Sequence, residues 1–365
     1  MASDDHLVHV ALPGAAYDIH IGPGLLATLG ERLKTLAPAG RIAVMTDSTV
    51  GPLALPALGH SCAAADMTII AEHVVPAGEN HKTLANVEQA LDTFLRAKAE
   101  RTTPIVALGG GMIGDMAGFA ASILLRGVPF VQVPTTLLAM VDASVGGKTG
   151  VNHAVGKNLI GTFHQPIAVF ADVSLLRTLP ASELASGLAE CIKHELIRDA
   201  DGFAKLERTL DAIIAGDETA RAELVTHNVR IKAAVVERDP YERGERAHLN
   251  FGHTFGHAIE KVSNFRYSHG ESVALGMAAA GFMSQRLGLI EESARQRLLT
   301  LIRRAGLPTS GMTLDPSAVM EAMAFDKKVK SGRIRFVLLE RIGSAMVRDD
   351  VPPALVREAV ESLRG

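Results

Sequence analysis

The residues best equipped for chemistry lie in NFGHTFGHAIE, residues 250–260. His253 and His257 stand four apart, so on a helix they share one face and two imidazoles can reach one divalent ion. Thr254 occupies the place that a glutamate holds in an HExxH arrangement, so a zincin-type hydrolase is not indicated. His269 follows in YSHGE, where Ser268 and Glu271 have capping-box spacing and put it at the start of the next helix. Upstream, Glu190, Lys193 and His194 fall on one side of a helix among apolar neighbours. A buried carboxylate there needs a metal or a partner, and a catalytic zinc site typically takes three protein ligands. Spacing alone leaves two readings open: a metal centre, or interior histidines with an intrahelical Glu190–His194 contact.

A second group of residues suits anions. GGGMIGD, residues 109–115, falls between a strand and a helix. Glycines let backbone amides approach a pyrophosphate, and the helix amino end favours its charge. The pattern is neither the usual Rossmann fingerprint nor a P-loop, and a tight packing turn accounts for it too. Gly146-Gly147-Lys148-Thr149-Gly150, then Gly156-Lys157-Asn158, set two lysines beside glycine turns near Asp142. They suit a small phosphorylated substrate, although loop lysines are commonly just solvated. Asp47, ending an early strand, either contacts a nucleotide ribose or caps the following helix.

The elements that must position these groups follow from periodicity. Apolar runs at 41–46, 66–75, 104–108 and 128–133 read as strands, with helical patterns at 80–97 and from the glycine turn to about 125. Such βαβ order predicts a mostly parallel sheet covered by helices. Beyond about 180 helical patterns dominate, at 183–200, 201–238, 252–262, 270–287 and 291–305, with one late strand at 333–339. The expected fold is an α/β N-terminal domain (1–180) with a Rossmann-like, mostly parallel sheet, then a mainly α-helical C-terminal domain (181–365).

Composition narrows the partners. With 365 residues and 47% hydrophobic content, the chain can build two cores without disulfides or a structural metal. Net charge is -3 with no basic run, which argues against nucleic acid or an anionic membrane as partner. Aromatic content of 4% with no Trp argues against a base-stacking platform. Cys62 and Cys191 form no CxxC pair, which fits a reducing compartment. The first residues lack a basic start and apolar run, and no apolar stretch is long enough to span a membrane, so a cytoplasmic protein is expected. Charge is uneven: 25 charged residues in the first 180 against 52 in the remaining 185. That fits a more solvated helical half, a polar site drawn mostly from that half, or both.

In this order, GGGMIGDMAGFAAS, RGVPFVQVPTTLLAMVDASVGGKTGVN, GKNLIG and LNFGHTFGHAIE, with PAGE-x-x-K at 76–82, resemble the 3-dehydroquinate synthase family of sugar-phosphate cyclases. The resemblance runs from about Asp47 to Leu339. It implies a dehydroquinate synthase-like fold, a tightly bound NAD, one zinc ion that cobalt can replace, and a homodimer. By motif, Glu190, His253 and His269 would hold the metal, while His257 would lie near the transferring phosphate instead. Asp47, Glu79, Lys82, Gly110, Gly111, Asp115, Thr135, Thr136, Asp142, Lys157 and Thr178 would contact NAD. Asn158, Lys193, Lys232, Arg246, Asn250 and His257 would contact the substrate; Asp142 and Lys148 would serve both groups. Arg126 would reach the phosphate from the partner subunit, Glu242 would lie near the metal, and Lys327, with Lys328 as its rival, would complete the set.

The implied reaction turns 3-deoxy-D-arabino-heptulosonate 7-phosphate into 3-dehydroquinate and phosphate. NAD would oxidise the carbon 5 hydroxyl, acidifying carbon 6 so that phosphate leaves carbon 7. Return of the hydride, ring opening and an intramolecular aldol closure would follow. Zinc would act as a Lewis acid at the carbon 4 and carbon 5 oxygens. Lys148, Lys193, Arg246 and Arg126 would offset the roughly three negative charges of carboxylate and phosphate. Rival readings are a cyclase acting on sedoheptulose 7-phosphate or glucose 6-phosphate, a metal-dependent alcohol dehydrogenase, and a nucleotide-sensing binding protein.

Overall fold

The computed structural model describes residues 5–242, 244–264, 266–327 and 334–364, with side chains except at 325–327. Two compact units make up the chain, Met1–Leu179 with Arg221–Glu237, and Pro180–Ala220 with Arg238–Gly365. The stretch Arg221–Glu237 thus belongs with the first unit, where a single cut at 180/181 assigns it to the second. No described helix is long and apolar enough to cross a membrane.

Along the chain the first unit runs β1 (His6–Val10), β2 (Tyr17–Gly22), α1 (Leu29–Leu36), β3 (Arg41–Asp47), α2 (Gly51–Ala64), β4 (Thr68–Val75), α3 (Leu84–Arg96), β5 (Ile105–Gly109), α4 (Gly111–Ile123), β6 (Phe130–Pro134), β7 (Lys148–His153), β8 (Gly156–Phe163) and β9 (Ala168–Asp172). Seven strands form one sheet in the order β1-β2-β9-β6-β5-β3-β4, and only the β1–β2 pair is antiparallel. Both faces are covered, which is why the central strands read as continuous apolar runs. Ala43, Met45, Ile105 and Ala107 pack with Phe94 of α3 and Met116 of α4, while Ile42, Val44, Val106 and Leu108 pack with Leu33 of α1 and Leu58 of α2. The chain moves outward from β3 to β4, then returns to place β5 on the other side of β3 and continues to β6. The carboxyl ends of β3 and β5 therefore flank a switch point, where doubly wound sheets open a crevice for ligands. β7 and β8 form a separate antiparallel hairpin.

α5 (Ala181–Arg198) and α6 (Ala200–Ala215) belong to the second unit, and α7 (Glu218–Arg238) lends its central residues to the first. The second unit continues with α8 (His253–Val262), α9 (His269–Arg286), α10 (Glu292–Arg304), α11 (Pro316–Lys327), the antiparallel pair β10 (Phe336–Arg341) and β11 (Ser344–Arg348), and α12 (Pro353–Glu361). The helical pattern expected across 201–238 breaks at Gly216, and the late strand is β10. Asp199 starts α6 by accepting from the amides of Asp201 and Gly202, both at 3.0 Å. Sequence periodicity missed β1, β2, β9 and the β7–β8 hairpin; β2 does alternate, with Tyr17, Ile19 and Ile21 buried, but only over six residues, while β1 and β9 are five residues long and β8 is interrupted by glycine.

Candidate active site

In the second unit, α5 presents Glu190, which is 0% exposed. Its Oε1 lies 3.5 Å from His253 Nε2 and 3.3 Å from His269 Nε2, and Lys193 Nζ pairs with its Oε2. One ligand atom each from Glu190, His253 and His269 lie within 4.8 Å of one another. The His257 ring stands edge-on to that of His253, with centroids 5.3 Å apart. His269 opens α9 through the expected capping box, in which Ser268 Oγ accepts from the Glu271 amide and the Glu271 carboxylate accepts from the Ser268 amide.

Burial acts to raise the Glu190 carboxyl, but the positive charge of Lys193 and the two imidazoles hold it well below the usual range. Burial and Lys193 push His253 down to about 3, so it is neutral with a lone pair available. Burial opposes charge on His269 as well, yet the carboxylates of Glu190 and Glu260 raise it to about 9. Glu260 Oε1 lies 3.6 Å from His269 Nδ1. One carboxylate oxygen and two imidazole nitrogens, converging around a fully buried negative charge, suit a borderline divalent ion such as zinc or cobalt.

Two close helix approaches set this geometry. A Cβ on Gly270 would fall 2.3 Å from Ser186 Cα, and the Gly270 amide donates to Ser186 Oγ at 3.1 Å, so α9 starts directly against α5. A Cβ on Gly276 would fall 1.9 Å from the Gly252 carbonyl oxygen, so α9 crosses α8 backbone to backbone. His269 and His253 adjoin these two crossings. Neither contact is legible in the sequence, because a single glycine within a helical pattern does not say which backbone it will meet.

Between α7 and α8, Asp239 organises the loop: its Oδ2 accepts from the amides of Gly244 at 2.7 Å and Arg246 at 3.0 Å. Arg246 is buried and donates to the Pro240 carbonyl at 2.7 Å, while Asn250 donates to Glu242 Oε1 at 3.0 Å. Asp239 was not among the expected site residues; its place before Pro240 was the available turn signal. Lys327 ends α11, but its side chain, like all of Lys328, lies outside the described residues.

In the first unit, Gly110 caps the amino end of α4 and Gly111 is its first residue, so their amides sit at the sheet's switch point. Buried Lys82 donates to Asp115 Oδ2 at 2.6 Å and Asn158 Oδ1 at 2.5 Å, and Glu79 accepts from Asn152 at 2.8 Å. Burial raises the Asp115 carboxyl, with Lys82 acting in the opposite direction. Asp142 lies in a π-helical turn, Ala139–Ala143, and pairs with Lys232 of α7 at 2.5 Å. Thr136 Oγ1 accepts from the Ala139 amide at 3.1 Å, and Thr135 is buried beyond β6. Asp47 Oδ1 accepts from the amides of Thr49 at 2.8 Å and Val50 at 2.9 Å, holding the turn that leads into α2. Thr178 Oγ1 donates to the Leu175 carbonyl at 3.2 Å. Lys148 opens β7 exposed, Lys157 is half-buried on β8, and Arg126 follows α4 with φ 70°.

The parallel α/β unit and the helical unit carrying the Glu190–His253–His269 set together define a dehydroquinate synthase-like fold. Residues 72–186 match the family model for 3-dehydroquinate synthase N-terminal, and residues 187–329 the model for 3-dehydroquinate synthase C-terminal. A 3-dehydroquinate synthase from Acidithiobacillus ferrooxidans is 46% identical over 97% of each chain. A 2-epi-5-epi-valiolone synthase from Streptomyces hygroscopicus subsp. jinggangensis, solved with NAD+ and Zn2+ bound, is 30% identical with a TM-score of 0.89, over 97% of this chain and 98% of that one. A 2-deoxy-scyllo-inosose synthase complexed with carbaglucose-6-phosphate, NAD+ and Co2+ is 26% identical with a TM-score of 0.85, over 98% and 100%. The chain belongs to the 3-dehydroquinate synthase family.

Proposed function

We propose that this chain converts 3-deoxy-D-arabino-heptulosonate 7-phosphate to 3-dehydroquinate and phosphate, with NAD and one divalent ion, zinc or cobalt, as cofactors. In a member of this family, the reading is carried by the fully buried Glu190 carboxylate on which His253, His269 and Lys193 converge. When bound, NAD supplies a hydride acceptor that gives the hydride back, and the ion supplies a Lewis acid for the substrate oxygens. Glu190, His253 and His269 would hold the ion. Neutral His253 is ready to ligate, whereas His269 must first release its proton.

The substrate brings a carboxylate and a phosphate, roughly three negative charges near neutral pH. Lys148, Lys193, Arg246 and Arg126 offset these charges, with His257 at the phosphate. Asn158, Lys232, Glu242, Asn250 and Lys327 orient the remaining polar groups. The Gly110–Gly111 amides take the NAD pyrophosphate, while Asp47, Glu79, Lys82, Asp115, Thr135, Thr136, Asp142, Lys157 and Thr178 surround the rest of the nucleotide. The protein works in the cytoplasm as a homodimer in which Arg126 serves the partner's site.

The test combines purified protein, zinc, NAD and the heptulosonate phosphate, following phosphate and dehydroquinate together. Both should appear without net NADH. Net NADH accumulation would point instead to a dehydrogenase, and turnover of sedoheptulose 7-phosphate or glucose 6-phosphate alone would assign the chain to another cyclase.

A further inference from the structure

Asn152 has no role in the chemistry above, yet it lies at the centre of a polar network in the first unit. The β7–β8 register shifts between Val151 and His153, so Asn152 is left out of the regular ladder. Bulges of this kind re-aim a side chain and recur beside active sites. Here the Asn152 Nδ2 donates to Glu79 Oε1 at 2.8 Å, and its backbone amide donates to the Lys82 carbonyl at 2.9 Å. Its Oδ1 accepts from the Asn158 amide at 2.9 Å. Asn158 has φ 54°, in the left-handed region, and its Oδ1 accepts from Lys82 Nζ at 2.5 Å. Asn158 is therefore held twice, by its backbone through Asn152 and by its side chain through Lys82, in a conformation that a non-glycine residue adopts at some cost.

We infer that Asn152 is a positioning residue: it locks the β7–β8 hairpin, which carries Lys148, Lys157 and Asn158, onto the Glu79–Lys82 loop, and so presents Asn158 to the substrate. The inference rests on the proposed function, in which Glu79 and Lys82 serve the nucleotide and Asn158 the substrate. One side-chain amide then ties the nucleotide-side loop to the substrate-side hairpin. Loss of that amide frees Asn158 to relax from its left-handed conformation, which weakens substrate binding rather than removing a reacting group.

A double-mutant cycle tests this with zinc- and NAD-loaded protein. Asn152→Ala should raise KM for the heptulosonate phosphate about tenfold, with a smaller fall in kcat. In an Asn158→Ala background the same change should raise KM less than about twofold, because the group it acts through is already gone. Hydrogen exchange should show the Asn158 amide losing protection in Asn152→Ala. If that variant does not fold, Asn152→Asp replaces it, keeping an acceptor for the Asn158 amide while setting a carboxylate against Glu79; the same KM pattern is expected, with the Asn158 amide keeping its protection. An equal KM effect in both backgrounds, or none in either, overturns the positioning role while leaving an active wild-type enzyme. An inert wild-type protein overturns the functional reading and this inference with it.

Discussion

Gly276→Ala separates local preference from tertiary packing by the sign of its effect. Gly276 lies within α9, so helix propensity alone has alanine stabilising the protein by about 1 kcal/mol. The fold gives the opposite sign. The new Cβ would lie 1.9 Å from the Gly252 carbonyl oxygen and 2.8 Å from its carbonyl carbon, and no rotamer change can move a backbone carbonyl aside. α8 and α9 must part, which for an overpacked buried contact costs about 3 kcal/mol and leaves about 2 kcal/mol of net destabilisation. Gly281→Ala, on the same helix, meets Leu298 Cδ1 at 3.4 Å, an ordinary contact with a movable side chain, and should stabilise by up to about 1 kcal/mol. Urea denaturation of the metal-free protein measures both. His253 follows Gly252 directly and His269 begins α9, so parting the helices also separates the two proposed metal ligands. Zinc affinity, measured by chelator competition, should fall at least about tenfold for Gly276→Ala and stay unchanged for Gly281→Ala. Equal stabilisation by both substitutions, with unchanged zinc affinity, would refute the crossing as the device that sets the ligand geometry.

The site's charges make further outcomes testable. Because His269 is raised to about 9 in the metal-free fold, zinc must displace its proton. Zinc affinity should rise about tenfold per pH unit between about 6.5 and 9, with about one proton released on binding below that range's upper end; a flat profile would count against it. The same elevation stabilises the metal-free fold fully below about 6.5, and that contribution is lost as pH rises through 9. Glu190→Gln should abolish zinc binding and destabilise by about 3 kcal/mol, because Lys193, 1% exposed, loses its counter-charge. Adding Lys193→Met should recover stability without recovering zinc; stability that stays low would show that the Glu190–Lys193 pairing is not the cause. Lys148→Ala should raise KM for the heptulosonate phosphate by about 30-fold, about 2 kcal/mol, and unchanged kinetics would remove Lys148 from the anion site.

Much of the architecture was legible in residue order. Apolar runs such as 41–46 and 104–108 identify strands buried on both faces, and the Ser268–Glu271 pair locates the start of α9 at His269. Local spacing also selected the segment 250–260. It favoured His253 with His257, however, whereas His253 and His269 are the two imidazoles that face the Glu190 carboxylate. Periodicity reports which residues share a face of one helix; it carries no record of where two backbones touch. That was decided by the approaches of Gly270 to Ser186 and Gly276 to Gly252, each possible only because no side chain stands between them. Asp47 gives a related lesson on a smaller scale: its strand-end position does not show that its Oδ1 holds the Thr49 and Val50 amides of the turn leading into α2. The chain order thus determined the elements and the chemistry they carry. Tertiary packing decided which carboxylate, imidazoles and lysine meet, because ligand distances depend on how closely separate helices approach, a quantity that no short stretch of sequence contains.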